Sequence, residues 1–312
     1  MKYSFSFFLA AILSLFPGLA LAANIIAIYA PNLDFKDGGE RNAYVNKIAK
    51  ELSAQTGMQW EGQSFARAGD FEASKSSIDA VILDADYFSS KGGTFRPVAM
   101  LSSNGQTTRP LKLIATKSGS DKLYNYRGKR LAVVANLSLA SSFVTASALG
   151  HEAKATEYFS VEEVRDVRSA INALEVGKAD LALVFDGYDS GFKTVYTSSP
   201  VALPIIAINS SKLTSEQAEK LKNALQNISV HAASFVTGSA AYSAADASAY
   251  RRIASTKRTT SLSYQPIEPE TADISITSLK FSERNDGIIF DPFQIRYIPT
   301  IAEFDKKLEQ SL

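Results

Sequence analysis

The sequence predicts an α/β protein folded as two Rossmann-like α/β lobes joined by two crossing strands, with a C-terminal extension. Three observations carry that expectation. Short apolar runs alternate with amphipathic stretches from Asn24 onward, the pattern of βα units that build a mostly parallel sheet. A second series of such units opens after the turn Tyr126-Arg127-Gly128-Lys129. Two proline-bearing connections, Thr107-Thr108-Arg109-Pro110 and the stretch Pro200 to Ile208 with Pro204 inside it, stand where a chain would cross between lobes and not where it would run through a sheet interior. Lobe I is then discontinuous, made of residues 23–109 and 205–255. Lobe II is the insertion 110–204, and residues 256–312 form the extension.

The elements follow in order. Ile25 to Tyr29 is a buried strand, and a helix from about Glu40 to Thr56 carries Tyr44, Ile48 and Leu52 on one face before Gly57 stops it. Strands are expected at Met58, Ala80 to Leu83, Pro97 to Leu101 and Leu111 to Ala115. In the second series, Arg130 to Ala135 reads as a strand, Ser138 to Gly150 as a loop turning into a helix, and Ala155 to Phe159 as a strand. Ser160 and Glu163 stand at capping-box spacing ahead of Val164, Val167, Ile171 and Leu174, with Gly177 closing that helix, and Leu181 to Phe185 is the next strand. Thr214 and Gln217 repeat the capping-box spacing ahead of Ala218, Leu221, Leu225 and Ile228. In the extension, Ile274 to Phe281 and Gly287 to Tyr297 could pair as a hairpin, with a short helix from Ala302 to Leu312.

Lys2 is the only charge ahead of the apolar run Phe5 to Phe16; Pro17-Gly18 breaks that run, and Ala20-Leu21-Ala22 supplies the small residues of a cleavage site. This order predicts a secretory signal peptide over residues 1–22. The run falls short of the roughly 20 residues a membrane span needs, so the expected mature protein is not membrane-embedded. With no cysteine there is no lipid-attachment site, disulfide framework or thiolate ligand, and a free periplasmic protein of a Gram-negative cell fits best. Lys and Arg number 33 against 32 Asp and Glu, and the signs are interspersed, which argues against a nucleic-acid partner.

At the second series the chain resembles a known family. Leu123 to Val133, reading LYNYRGKRLAV, is similar to the "DLKGKRFA" segment of type II periplasmic solute-binding proteins, especially their phosphate- and phosphonate-binding branch. The Ser-rich run Leu137 to Phe143 sits where that family reads "STSG", Ala173 to Asp180 matches "AVxxGKAD", and Ala244 to Arg251 resembles its closing "DADYDPIR". The resemblance spans about residues 24–255. It implies a ligand held between lobes that close around it, and an ABC permease as partner. The chain departs from that branch in two places. Asp166-Val167-Arg168 stands where a Ser-His pair is usual, and the serine run lacks its glycine, which argues against a phosphonate.

The segment after Ala135 passes into a helix, so its amides and the hydroxyls of Ser138, Ser141 and Ser142 form an oxyanion site in outline; the alternative is that these serines only cap the helix. Tyr29 and Asn32 follow the first strand, and Asp84, Asp86 and Tyr87 follow the strand at Val81. Asp186 and Tyr188 follow the strand at Leu181, and the resemblance implies a cleft acid at Asp186. Arg165 or Arg168 could clamp an anion bidentately or stand on a solvated face. The histidines, His151 past Gly150 and His231 within an amphipathic stretch, have no triad arrangement, and an enzyme is not expected. No cofactor or metal is expected either: there is no cysteine, no paired His spacing and no nucleotide loop. The leading reading is a binding protein for a small, anionic ligand serving an ABC-type importer. The alternative is a periplasmic sensory or adaptor protein that uses the same fold to bind a membrane sensor protein.

Overall fold

The computed structural model describes residues 23–135, 137–229 and 235–255, all within one compact unit. The expected signal peptide, His231 and the expected hairpin and helix of the extension lie outside the described residues.

The first pass of the chain forms β1 (Asn24–Tyr29), α1 (Gly38–Thr56), β2 (Trp60–Ser64), α2 (Ala68–Ser74), β3 (Ala80–Leu83), α3 (Ala85–Lys91) and β4 (Phe95–Ser102). The middle portion forms β5 (Thr108–Ala115), β6 (Arg130–Val134), α4 (Leu137–Ser147), α5 (Ala155–Tyr158), β7 (Ser160–Val164), α6 (Val167–Glu175), β8 (Leu181–Phe185) and β9 (Lys193–Ala202). The return segment adds β10 (Ile205–Asn209), α7 (Ser215–Leu225), β11 (Gly238–Ala241), α8 (Ala244–Ala247) and α9 (Ala249–Ser255). Two sheets result, one of six strands in the order β11-β4-β10-β3-β1-β2 and one of five in the order β7-β6-β8-β5-β9. Each is the core of a lobe, and the protein has the two-lobed α/β fold.

Both sheets are mixed. β1 runs parallel to β2 and β3, and β6 parallel to β7 and β8, because helices carry the chain back across the sheet at those points. β10 is antiparallel to β3 and β4, and β5 antiparallel to β8 and β9. Central strands are apolar, as strands covered on both faces must be, apart from Asn209 at the end of β10: every residue of β3, β8 and β10 is buried.

The local signals that matched are helix ends. Gly57, at φ +71°, donates to the Ser53 carbonyl at the end of α1, whose start is capped by Asp37, a residue expected in the preceding loop, accepting the Glu40 N–H (2.8 Å). Thr214 and Gln217 make both hydrogen bonds of a capping box on α7.

Three expectations are corrected. Ala155 to Phe159 is not a strand: Ala155–Tyr158 is a helical turn, and the strand is β7. Ser160 and Glu163 form no capping box, since both lie in β7, paired in parallel with Arg130 and Val133 of β6; the helix starts three residues beyond Val164, where Asp166 accepts the Ser169 N–H (2.8 Å). The sheet edge offered five consecutive ladder partners, which outweighs one reciprocal cap. The stretch Pro200 to Ile208 is not all crossing, because Ile205 to Ile208 belong to β10, an interior strand between β3 and β4. Only Leu203 and Pro204 cross, and Pro204, which has no N–H to give a ladder, sits between the strands.

The two crossings run side by side. Leu203 N–H donates to the Thr107 carbonyl (2.8 Å), and Leu101 N–H to the Pro204 carbonyl (2.9 Å). α9 makes a further bridge: Tyr250 stacks on Phe143 of α4 with ring centroids 4.6 Å apart, worth about 0.5–1.5 kcal/mol beyond its buried area. Its neighbour Arg251 donates to the Ser89 carbonyl of α3.

The lobes also touch through the segment after β1. Val167 N–H, the first of α6, donates to the Pro31 carbonyl (3.0 Å), and Asp34 N–H donates to the Tyr188 hydroxyl (2.7 Å). Arg168 forks onto the Asp34 carboxylate, with Nε 2.9 Å from Oδ1. The lobes are thus tied to each other on this side by the protein's own groups. An ion pair this accessible contributes at most about 1 kcal/mol, which still shifts an open–closed ratio about fivefold. Arg168→Ala is expected to raise the radius of gyration of the ligand-free protein in small-angle X-ray scattering while leaving its circular dichroism unchanged. Equal radii for the two proteins would show that the pair does not hold the lobes.

Candidate functional site

A cavity of about 920 Å³ lies between the lobes, within the size range of small-molecule sites. Its first-lobe wall carries Tyr29 at the end of β1, Ala68 of α2, and Tyr87, Ser90 and Lys91 of α3. Its second-lobe wall is one face of α4: Ser138, Ser141, Ser142 and Thr145 recur at three, one and three residues and so share one side of the helix. His151, Lys154 and Glu163 complete that side. Ala135, joining β6 to α4, holds φ +35°, a left-handed conformation unusual for a residue with a Cβ, and it turns the chain so that the first helical turn borders the cavity.

The hydroxyls of this wall differ in what they are free to do. Ser142 Oγ donates to the Ser138 carbonyl (2.9 Å), and Thr145 Oγ1 accepts the Ala155 N–H (2.8 Å). Ser141, only 9% exposed, has its Oγ buried at the cavity wall with no partner among the described residues. Buried hydroxyls are rarely left so, and the helix start supplies further N–H groups that no carbonyl of the same helix can take.

The first-lobe candidates divide. Tyr29 lines the cavity, packed edge-on to Tyr87 (4.9 Å) and stacked on Phe71 (5.7 Å). Burial raises its hydroxyl pKa, and the charges of Asp84, Asp86 and Glu163 raise it further. Tyr87 also lines the cavity, but its hydroxyl is held by Glu72 (2.6 Å). Asn32, Asp84 and Asp86 lie deeper, around a separate void of about 20 Å³ closed by Tyr250, Leu111 and Phe185. There Asp84 Oδ2 accepts both the backbone N–H (3.0 Å) and the side-chain amide (2.9 Å) of Asn32, and its Oδ1 has no partner among the described residues.

The candidates near α6 and β8 stand apart from the cavity lining. Arg165 is exposed and pairs with Asp166 (2.8 Å), and Arg168 is spent on Asp34. Asp186 accepts from Lys112 (2.7 Å) and from Arg109 (3.1 Å), and the Lys112 hydrogen bond holds its carboxyl below the usual range. Tyr188 is buried against Phe235 (5.1 Å) with its hydroxyl on the Asp34 N–H. The structure thus brings together Tyr29, Tyr87 and the three serines, and gives the remaining candidates partners of their own. Sequence reasoning missed Thr145, Lys91, Lys154, Glu163 and His151 as cavity residues. The spacing of Ser138, Ser141, Ser142 and Thr145 was the available signal for a polar helix face.

Two α/β lobes on paired crossings, closing over a cavity walled by hydroxyls, define a two-lobed solute-binding protein. Residues 45–250 match the family model described as the phosphonate periplasmic substrate-binding protein of ABC transporters, and the chain belongs to that family. Solved structures share the fold. The binding protein component of an ABC phosphonate transporter from Pseudomonas aeruginosa is 12% identical with a TM-score of 0.59, over 74% of this chain and 85% of that one. PhnD1 from Prochlorococcus marinus, in complex with methylphosphonate, is 9% identical with a TM-score of 0.57, over 74% and 97%. A Xanthomonas citri protein bound to ATP is 10% identical with a TM-score of 0.53, over 74% and 95%. No curated protein sequence matches this chain. No helix among the described residues is long and apolar enough to cross a membrane.

The acid pair beneath the cavity sets a pH dependence. Burial pushes the Asp86 carboxyl up to about 6, and burial followed by the charge of Asp86 raises Asp84 well above the ordinary value. Both acids hold their protons more tightly folded than unfolded, so their contribution is complete below the unfolded value of about 3.9 and is lost as the pH rises through the folded one. Asp166, Asp180, Asp186 and Asp189 are shifted downward and act only at lower pH. The melting temperature is therefore expected to fall between pH 5 and pH 7.5, and Asp86→Asn, which keeps the acceptor for the Tyr87 N–H, should flatten that slope in differential scanning fluorimetry.

Proposed function

We propose that this protein captures a small anionic solute in the interlobe cavity and delivers it to an ABC-type importer, working in the periplasm after export. The observation that carries the reading is Ser141 Oγ, a buried and unpartnered hydroxyl beside the first turn of α4, where backbone N–H groups and the helix dipole favour negative charge. Lys91 of the first lobe borders the same cavity and supplies positive charge there, and Lys154 of the second lobe borders it with its ammonium paired to Glu157 (2.8 Å). Family membership supports a permease as the receiving partner. Oxyanions are the ligand class the P. marinus structure contains and the phosphate of the X. citri ligand shares, which agrees with this wall of donors. The adaptor alternative drew on Asp166-Val167-Arg168 in place of a Ser-His pair, on the altered serine run and on the segment beyond Ser255, which lies outside the described residues; family membership favours the importer reading over it.

Thermal shift against phosphate, sulfate, methylphosphonate and AMP tests the reading, since a ligand at 100 times its Kd adds about 2.7 kcal/mol to stability. Absence of any shift would remove the anion assignment. With a binding anion in hand, Ser141→Ala is expected to weaken calorimetric affinity about tenfold or more, the loss of a hydrogen bond to a charged group of about 1.5–3 kcal/mol. Ser142→Ala should change it little, because that hydroxyl is already committed to the Ser138 carbonyl.

A further inference from the structure

The chain leaves α4 through two successive residues in the left-handed region, Gly150 at φ +54° and His151 at φ +62°. A glycine takes that conformation freely; a histidine does so at a steric cost. The turn folds His151 back along the helix, where its N–H donates to the Thr145 carbonyl (2.9 Å) and its ring joins the cavity wall. Nε2 is buried there with no partner among the described residues. One residue therefore carries both a strained backbone and an unsatisfied ring nitrogen, and both fall on the lining of the cavity. Such costs persist where a bound group repays them.

Among the described residues Ser141 and His151 are the two that line the cavity with orphaned polar atoms, and they border it from different stretches of chain. Ser141 lies near the start of α4, and His151 lies beyond its C-terminal end, past Thr145. A cavity of about 920 Å³ is also far larger than a lone tetrahedral anion needs, given that a water molecule in the liquid takes about 30 Å³.

Resting on the anion-binding reading above, we propose that His151 is the specificity-determining residue of the cleft. It reads a second polar group on an extended solute whose oxyanion end sits at Ser141 and the start of α4. The ligand class is an organic phosphate or comparable oxyanion bearing a hydrogen-bonding body, and not a free inorganic anion. Ser141 supplies affinity for the head shared by all such ligands. His151 separates them by what the head is attached to.

Calorimetry with inorganic phosphate, sn-glycerol 3-phosphate and AMP, on the full chain, tests this. The wild-type protein is expected to bind at least one of the two organic phosphates about tenfold or more tightly than inorganic phosphate. His151→Ala should abolish that preference while leaving the inorganic phosphate affinity unchanged, and Ser141→Ala should weaken all probes alike. His151→Gly, which suits the left-handed backbone and removes the orphaned nitrogen, is expected to raise the melting temperature by about 2–4 °C while losing the preference. A purely structural histidine would instead lose stability on that change. His151→Asn, which tolerates the same backbone and keeps a polar group, should restore part of the preference. Equal affinity of the wild-type protein for all three probes, or a uniform loss in His151→Ala, overturns the assignment while the anion site stands. Failure of every probe to bind overturns both.

Discussion

β10 is inserted between β3 and β4, antiparallel to both, and this placement governs the rest of the molecule. The chain must leave the first sheet at β4 and return beside it, so the second lobe is an insertion whose two ends lie together. The two crossings then hydrogen-bond to each other, Leu203 N–H to the Thr107 carbonyl, while Pro204 accepts from Leu101 of β4, which makes them a paired strap about which the lobes can turn. A single connection would leave the lobes free to swivel. Two parallel ones restrict the motion to opening and closing, and only with such restriction can Tyr29 and Tyr87 of one lobe meet the face of α4 in a repeatable way.

Around that hinge the polar groups fall into two kinds. Most are satisfied within the protein: Asp186 by Lys112 and Arg109, Asp34 by Arg168 and Tyr188, Tyr87 by Glu72. These hold the lobes and their elements together, and leave little for a ligand. Among the described residues several buried polar atoms have no partner, including Tyr44 Oη and Arg109 Nε; those at the cavity are Ser141 Oγ and His151 Nε2, and Asp84 Oδ1 lies on the neighbouring void. An unpartnered buried group costs about 1–3 kcal/mol, so the junction is destabilised where binding can repay it. The backbone of Ala135 and His151 agrees, since both hold positive φ at the two ends of the helix that walls the cavity. The Asp34 contacts between the lobes lower the ordering a ligand must impose, at the expense of selectivity unless residues inside the cavity discriminate.

What could be read in the sequence was whatever a residue decides with near neighbours. Gly57 ends α1, and Thr214 with Gln217 opens α7, because a cap needs only three or four residues of chain. The same logic misled at Ser160 and Glu163, where identical spacing lies inside β7, and at Ala155 to Phe159, where a segment ending in two aromatic residues is a helical turn. In both places a partner far along the chain, β6, decided which segment became the edge strand. Pro204 was read correctly as a break, but not that Ile205 to Ile208, just beyond it, would lie in the sheet interior.

The sequence by itself determined two alternating α/β series, a family likeness carried by ordered motifs, and a row of hydroxyls at helical spacing from Ser138 to Thr145. Only the tertiary structure decided which polar groups remain for a ligand. Asp186 and Arg168 lost that role to Lys112 and Asp34, residues 74 and 134 positions away along the chain, and His151 gained a place in the cavity through a left-handed turn. The physical reason is that hydrogen-bonding capacity is a property of a residue, whereas its availability depends on every group the fold brings within about 3 Å of it.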